Sequence, residues 1–430
     1  MDKKSRNIFL YILLAFTLTY IISMAFKNTS LSFNIKDNKV TYSIIPDGSK
    51  VNLDLSKCSE GSLDYDEITD TISFKSSNPS FCNIYLDESS NLIYYSSLKQ
   101  AINDTIIKTY HGETSYFDEA SVSINPSNNT IKLLKDIFID EEIKIQKDIF
   151  INLNGHTLNF SPKAQNNFIT IEKGYSLTIY GRKKGSMVYY SSDDNVPLFT
   201  LSDDSELNIS VDKFSVAYSG KSVFSILKDE REKTAKINIS HTNFIVDGAN
   251  ISFLYSAKPL NIDITNSSIY VNALGNTTLA NLISKNSSVN ISNTSIIYNE
   301  KDESSSSGKI LNLPNATLSL DKSNIIIESD SIANNESKIV SHQLNINECN
   351  MTSKLSSDGA IIEVNESGIV KDFSLAASSD KSYIGILYLG NSELKIVDSN
   401  FNLKKENTPI LYYKGNVLLE NTNIEAMQAS

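Results

Sequence analysis

From about residue 150 the chain alternates apolar and polar positions in a repeating template. Each copy reads apolar, any, apolar, any, a polar pair, then Asn or Ser, then apolar. Residues 237–244, 289–296 and 318–325 are clear copies, and residues 260–269 carry a slightly longer one. Further copies occupy residues 344–351, 394–401 and 417–424, and the copy around Leu375 is degraded. The closing apolar residues are Leu158, Met187, Phe214, Phe244, Ile269, Ile296, Ile325, Met351, Leu375, Phe401 and Ile424. Their spacings run from 23 to 30 residues and average about 27. A second apolar cluster precedes most copies, as at residues 168–171, 198–201 and 410–411.

Short period-2 runs rich in Ile, Val, Phe and Tyr predict strands, not helices. Three such strands per repeat cannot bury a core alone. Stacking the repeats can, because each strand pairs with its equivalent about 4.8 Å away and the inward residues form one apolar column. The prediction is an all-β fold: a right-handed parallel β-helix solenoid of about 11 to 12 coils over residues 96–430. A small β-rich module at residues 27–95 and a short capping helix precede it. Asn243, Asn324, Asn350, Asn400 and Asn423 form a turn ladder in this reading. They are expected at the bend with positive φ, which Asn tolerates, each amide bonding to its copies above and below. A leucine-rich repeat fits less well. Its Asn falls three residues after the second leucine, whereas Asn324 falls four after Leu320, and the upstream L-x-x-L is missing.

Residues 129–139 and 143–158, ending in Asn-Gly-His-Thr-Leu158, resemble the opening coils of pectin-lyase-fold surface proteins of low-GC bacteria. Ser96-Ser-Leu-Lys-Gln-Ala-Ile-Asn103 resembles the amphipathic helix that caps the first coil in that superfamily. The resemblance covers residues 96–430 and implies a fold, not an activity, since the superfamily spans lyases, hydrolases, adhesins and tailspikes. In the preceding module, strands are expected at residues 39–45, 50–55, 71–75, 83–86 and 92–95. Ile72-Ser-Phe-Lys-Ser-Ser-Asn-Pro-Ser80 is similar to the signature of group 2 bacterial Ig-like domains, although Phe81-Cys-Asn-Ile-Tyr85 departs from the usual next strand. A simple β-rich cap on the first coil fits equally well.

The start of the chain adds a destination. Lys3, Lys4 and Arg6 precede an apolar run at residues 8–26, with Ser23-Met-Ala25 offering small residues to a signal peptidase. Residues 1–26 are therefore a cleaved signal peptide or an N-terminal membrane anchor, and either exports the body to the cell surface or beyond. The net charge of -11 argues against a nucleic-acid partner. The basic run Arg182-Lys-Lys184 reads as a solvated loop. Cys58 and Cys82 are placed to pair in an oxidising compartment. Cys349 falls at a repeat position held mostly by Ser or Thr, where a small half-buried residue belongs.

No complete catalytic constellation is expected, nor any cofactor or metal site. Asp193 and Asp194, with Asp203 and Asp204, bracket one strand and are the candidate carboxylates for glycosidic chemistry. A solvated turn explains them more simply. His156 reads as a turn residue, and His111, His241 and His342 lack metal spacing. The position after each closing apolar residue stands out instead. It should face solvent, yet it reads Ile245, Tyr270, Ile297 and Ile326 in adjacent coils, then Thr352, Ala376, Asn402 and Glu425. Such a ledge marks a contact surface unless a loop or the N-terminal module covers it. The expectation is a non-enzymatic binding protein whose partner is a glycan or another surface protein. A polysaccharide lyase or glycoside hydrolase is the alternative, and a structural stalk the third. Membrane contact is expected only through residues 8–26. The final coil, with six residues after Ile424, is expected either to be capped by them or to meet another chain in an oligomer.

Overall fold

The computed structural model describes the backbone of six strands between residues 30 and 87 and most of residues 93–426. The undescribed residues in the latter span are 109, 111–119, 126–129, 161–167, 192–196, 219–224, 226, 230–231, 250, 275–276, 302–307, 331–336, 356–358, 380–382 and 405–409. The chain divides into two compact units: residues 1–93 with 124–128, and residues 94–123 with 129–430.

In the first unit, strands pair antiparallel. Ser30–Lys36 runs against Lys39–Ile45, Lys50–Asp54 against Asn83–Asp87, and Gly61–Asp66 against Thr71–Ser76. Four of these six match expected strands. Ser30–Lys36 and Gly61–Asp66 were not anticipated. Cys58, Cys82 and residues 8–26 lie outside the described residues. Among the described residues no helix is long and apolar enough to cross a membrane.

The second unit is an all-β parallel solenoid with one short helix, α1 (Leu98–Ile107). Ser97 caps α1 by accepting the Gln100 N–H at 3.2 Å, and Lys108 closes it in the left-handed conformation. Leu98, Ala101 and Ile102 face inward. Asp104 is buried too, held by the Tyr95 hydroxyl and the Gln100 amide, both at 2.8 Å.

The coils follow the template. Ser252–Ser256, Leu260–Thr265 and Ser268–Leu274 make one coil, and each pairs in parallel with Thr278–Leu282, Ser288–Ser292 and Ser295–Glu300 of the next. All eleven closing residues stack in a single register column. Leu158 lies beside Met187, then Phe214, Phe244, Ile269 and Ile296. Ile325, Met351, Leu375, Phe401 and Ile424 continue it. Every member but Ile424 is buried, so a period-2 alternation holds one dry interior along this unit. Phe214, Phe244 and Phe253 meet inside it with ring centroids 5.3 to 6.0 Å apart. The solenoid makes about nine turns, fewer than the 11 to 12 expected.

The bend differs from expectation. Positive φ falls two residues before each ladder asparagine, at His241, Lys322, Glu348, Asp398 and Asn421. Asn243, Asn324, Asn350, Asn400 and Asn423 instead open the following strand. The turn is only two residues long, so the chain reverses at its first residue and is already extended at the asparagine. The expected stacking of these side chains holds where Ser268 donates to Asn243 at 2.5 Å and Asn423 donates to Asn400 at 3.2 Å.

The residue between the bend and the strand carries a second, buried ladder. Thr242, Ser267, Thr294, Ser323 and Ser399 each donate to the carbonyl two residues back, at 2.7 to 2.9 Å. Their oxygens accept backbone N–H groups of the preceding coil, as from Thr242 to Ser267 at 3.2 Å and from Thr294 to Ser323 at 3.2 Å. Cys349 takes the same place. Its Sγ accepts from the Ser323 N–H at 3.4 Å and donates to the Asn347 carbonyl at 3.2 Å. Otherwise orphaned backbone groups at these buried corners are thereby satisfied.

Candidate contact face

Each coil's third strand shows its outward side chains in three columns. Register places Ile245 beside Tyr270, Tyr270 beside Ile297, and Ile297 beside Ile326. The four form a continuous stripe about 14 Å long, three strand spacings. Thr352, Ala376, Asn402 and Glu425 continue the column with smaller or polar groups. Tyr270 is 37% exposed, and the three isoleucines are half-buried because each is shielded by its neighbours along the column.

Polar columns flank the stripe on both sides. One is the strand-opening set Asn243, Ser268, Ser295 and Asn324. The other is Asp247, Asn272, Asn299 and Glu328. An apolar track between rails of amide, hydroxyl and carboxylate groups can bury the flat side of a ligand and hydrogen-bond its rim.

Of the candidate carboxylates, Asp203 and Asp204 lie among the described residues, and both belong to one turn. Asp203 Oδ1 accepts the backbone N–H groups of Glu232 at 2.6 Å and Lys233 at 2.7 Å. These two hydrogen bonds hold the Asp203 carboxyl below the usual carboxylate range, which suits a turn brace and not a general acid. Asp204 adopts φ 57° in the same turn and lies 3.6 Å from Lys233 Nζ. Asp193 and Asp194 lie outside the described residues. His156 sits 3.6 Å from Asp136 at the first full coil. Among the described residues no group of three or more His, Cys, Asp or Glu is arranged to hold a metal ion.

Two features of the solenoid surface were not apparent from the sequence. Phe138 and Phe150 turn outward on the first coils, Phe138 being 72% exposed, where the pattern of isolated apolar residues gave no sign of it. The Arg182 guanidinium reaches across two coils, with Nε 3.4 Å from Ser210 Oγ and Nη2 3.0 Å from His241 Nδ1. No family model, no curated protein and no solved structure matches this chain.

Proposed function

We propose that this is an exported, non-catalytic binding protein that holds a glycan or another surface protein against the stripe Ile245–Tyr270–Ile297–Ile326. The observation that carries this reading is the register. Four large apolar side chains occupy outward positions of consecutive strands, and the residues that follow in the column, Thr352, Ala376, Asn402 and Glu425, are small or polar. Exposing such a track to water is unfavourable unless something covers it. The basic-then-apolar start of the chain supports export. The likeness of residues 129–158 to the opening coils of pectin-lyase-fold surface proteins supports the same setting.

Substituting Ile297→Lys and Ile326→Lys tests the stripe. Both side chains are outward, so the far-ultraviolet circular dichroism should be unchanged while retention on glycan arrays or on cells falls by roughly tenfold or more. Unchanged binding by a folded double variant rejects the stripe. Incubation with a polysaccharide panel, with and without Ca²⁺, addresses turnover. New reducing ends or unsaturated products that vanish in Asp194→Asn would make the protein an enzyme.

A further inference from the structure

The run Arg182-Lys183-Lys184 sits on a built insertion. Gly181 pairs with Val211 and Ser186 with Lys213, so residues 182–185 stand opposite the single residue Asp212. The neck of this bulge admits no side chains. A Cβ on Gly181 would lie 2.8 Å from Leu153 Cβ, and one on Gly185 would lie 2.6 Å from the Gly181 carbonyl oxygen. Lys184 takes φ 62° at the tip. Bulges of this kind re-aim side chains and gather at functional places.

The bulge concentrates positive charge. Arg182, Lys183 and Lys184 are all exposed, and none forms an ion pair among the described residues, in a chain of net charge -11. Arg182 is nevertheless held in place by Ser210 and His241. A guanidinium only donates, so His241 Nδ1 must accept and its Nε2 carries the proton. Partial burial, then the charge of Arg182, keep the His241 pKa below its ordinary value, consistent with a neutral ring. Two of the five Arg182 N–H donors are used, which leaves three in the fork that matches a bidentate oxyanion.

We propose that the bulge at residues 182–184, with His241, is an oxyanion subsite for the sulfate or carboxylate groups of an acidic polysaccharide. It is separate from the apolar stripe and stands or falls without it. The full chain titrated with heparin (sulfate) and with polygalacturonate (carboxylate) tests the site, with neutral dextran as the control. Binding to at least one acidic polymer, none to dextran, and a loss of roughly tenfold or more in the variant R182Q/K183Q/K184Q are expected, with the interaction weakening as salt rises. The charge-matched variant K301Q/K354Q/K404Q, altered at exposed lysines elsewhere, should keep its affinity. His241→Gln, which keeps an acceptor for Arg182, should bind better than His241→Leu. The proposal is overturned if neither acidic polymer binds, if the bulge variant binds as the parent does, or if the charge-matched variant loses as much. Tighter binding to duplex DNA than to either polysaccharide would overturn it as well.

Discussion

Cys349 occupies the corner that Thr242, Ser267, Thr294, Ser323 and Ser399 fill in other coils, and it makes the same two hydrogen bonds through sulfur. Burial raises its thiol pKa, so it is a poor thiolate and its role is packing. Cys349→Ser should change stability by less than about 1 kcal/mol in urea unfolding. Cys349→Val fills the same space but orphans the Ser323 N–H and should cost about 1–3 kcal/mol. Tyr383 is the converse case. Its hydroxyl is buried without a hydrogen-bond partner among the described residues, and desolvation pushes its pKa from 10 up to about 12. The folded state therefore keeps the proton that the unfolded chain releases. Stability is fully present below pH 10 and falls as the pH rises to about 12, by roughly 2 kcal/mol. In Tyr383→Phe that alkaline loss should shrink, as urea titrations on either side of pH 10 would show. The Cys349 slot was legible in the repeat. The bend residue was not, because His241, Lys322 and Glu348 share no side-chain type and only the backbone marks them.

Between elements, the feature with the greatest consequence is an ion pair that no pattern announces. Glu300 ends the strand Ser295–Glu300, and Lys338 precedes the strand Ile339–Asn347. Their charged groups meet at 2.6 Å, both fully buried. The Ser329 hydroxyl and the Gly308 N–H complete the Glu300 carboxylate at 2.5 and 2.7 Å. Gly308 permits this because a Cβ there would fall 2.1 Å from the Tyr298 hydroxyl. Lys338→Met strands a buried carboxylate and should cost about 3–5 kcal/mol in chemical denaturation. The double variant Glu300→Gln, Lys338→Met should recover much of that, since an amide still accepts the Gly308 N–H and needs no counter-charge. The strand runs were readable because period-2 alternation is local. The pairing of Glu300 with Lys338 was not, because it joins the end of one strand to the start of another 38 residues on, at places the repeat does not relate.

At the scale of the second unit, identical steps along the chain become columns in space. The template fixed which residues face inward, and the eleven closing positions stack as their spacing predicts. The outward stripe from Ile245 to Ile326 was equally visible, because once the period is known each position's face and neighbours follow from the strand repeat. Asp203 and Asp204 show the limit of that reasoning. Their spacing left a solvated turn and a carboxylate pair open, with the turn the simpler reading, and only tertiary structure brings the backbone N–H groups of Glu232 and Lys233 onto Asp203. The run of Arg182 likewise reads as a solvated loop until the bulge, its glycine neck and the reach to His241 are seen. The sequence by itself determined the coil, its core and its outward columns, because alternation of polarity is a property of neighbours along the chain. Tertiary structure alone decided the bends, the buried ion pair and the basic bulge, because each joins groups from different coils whose approach depends on backbone geometry and desolvation.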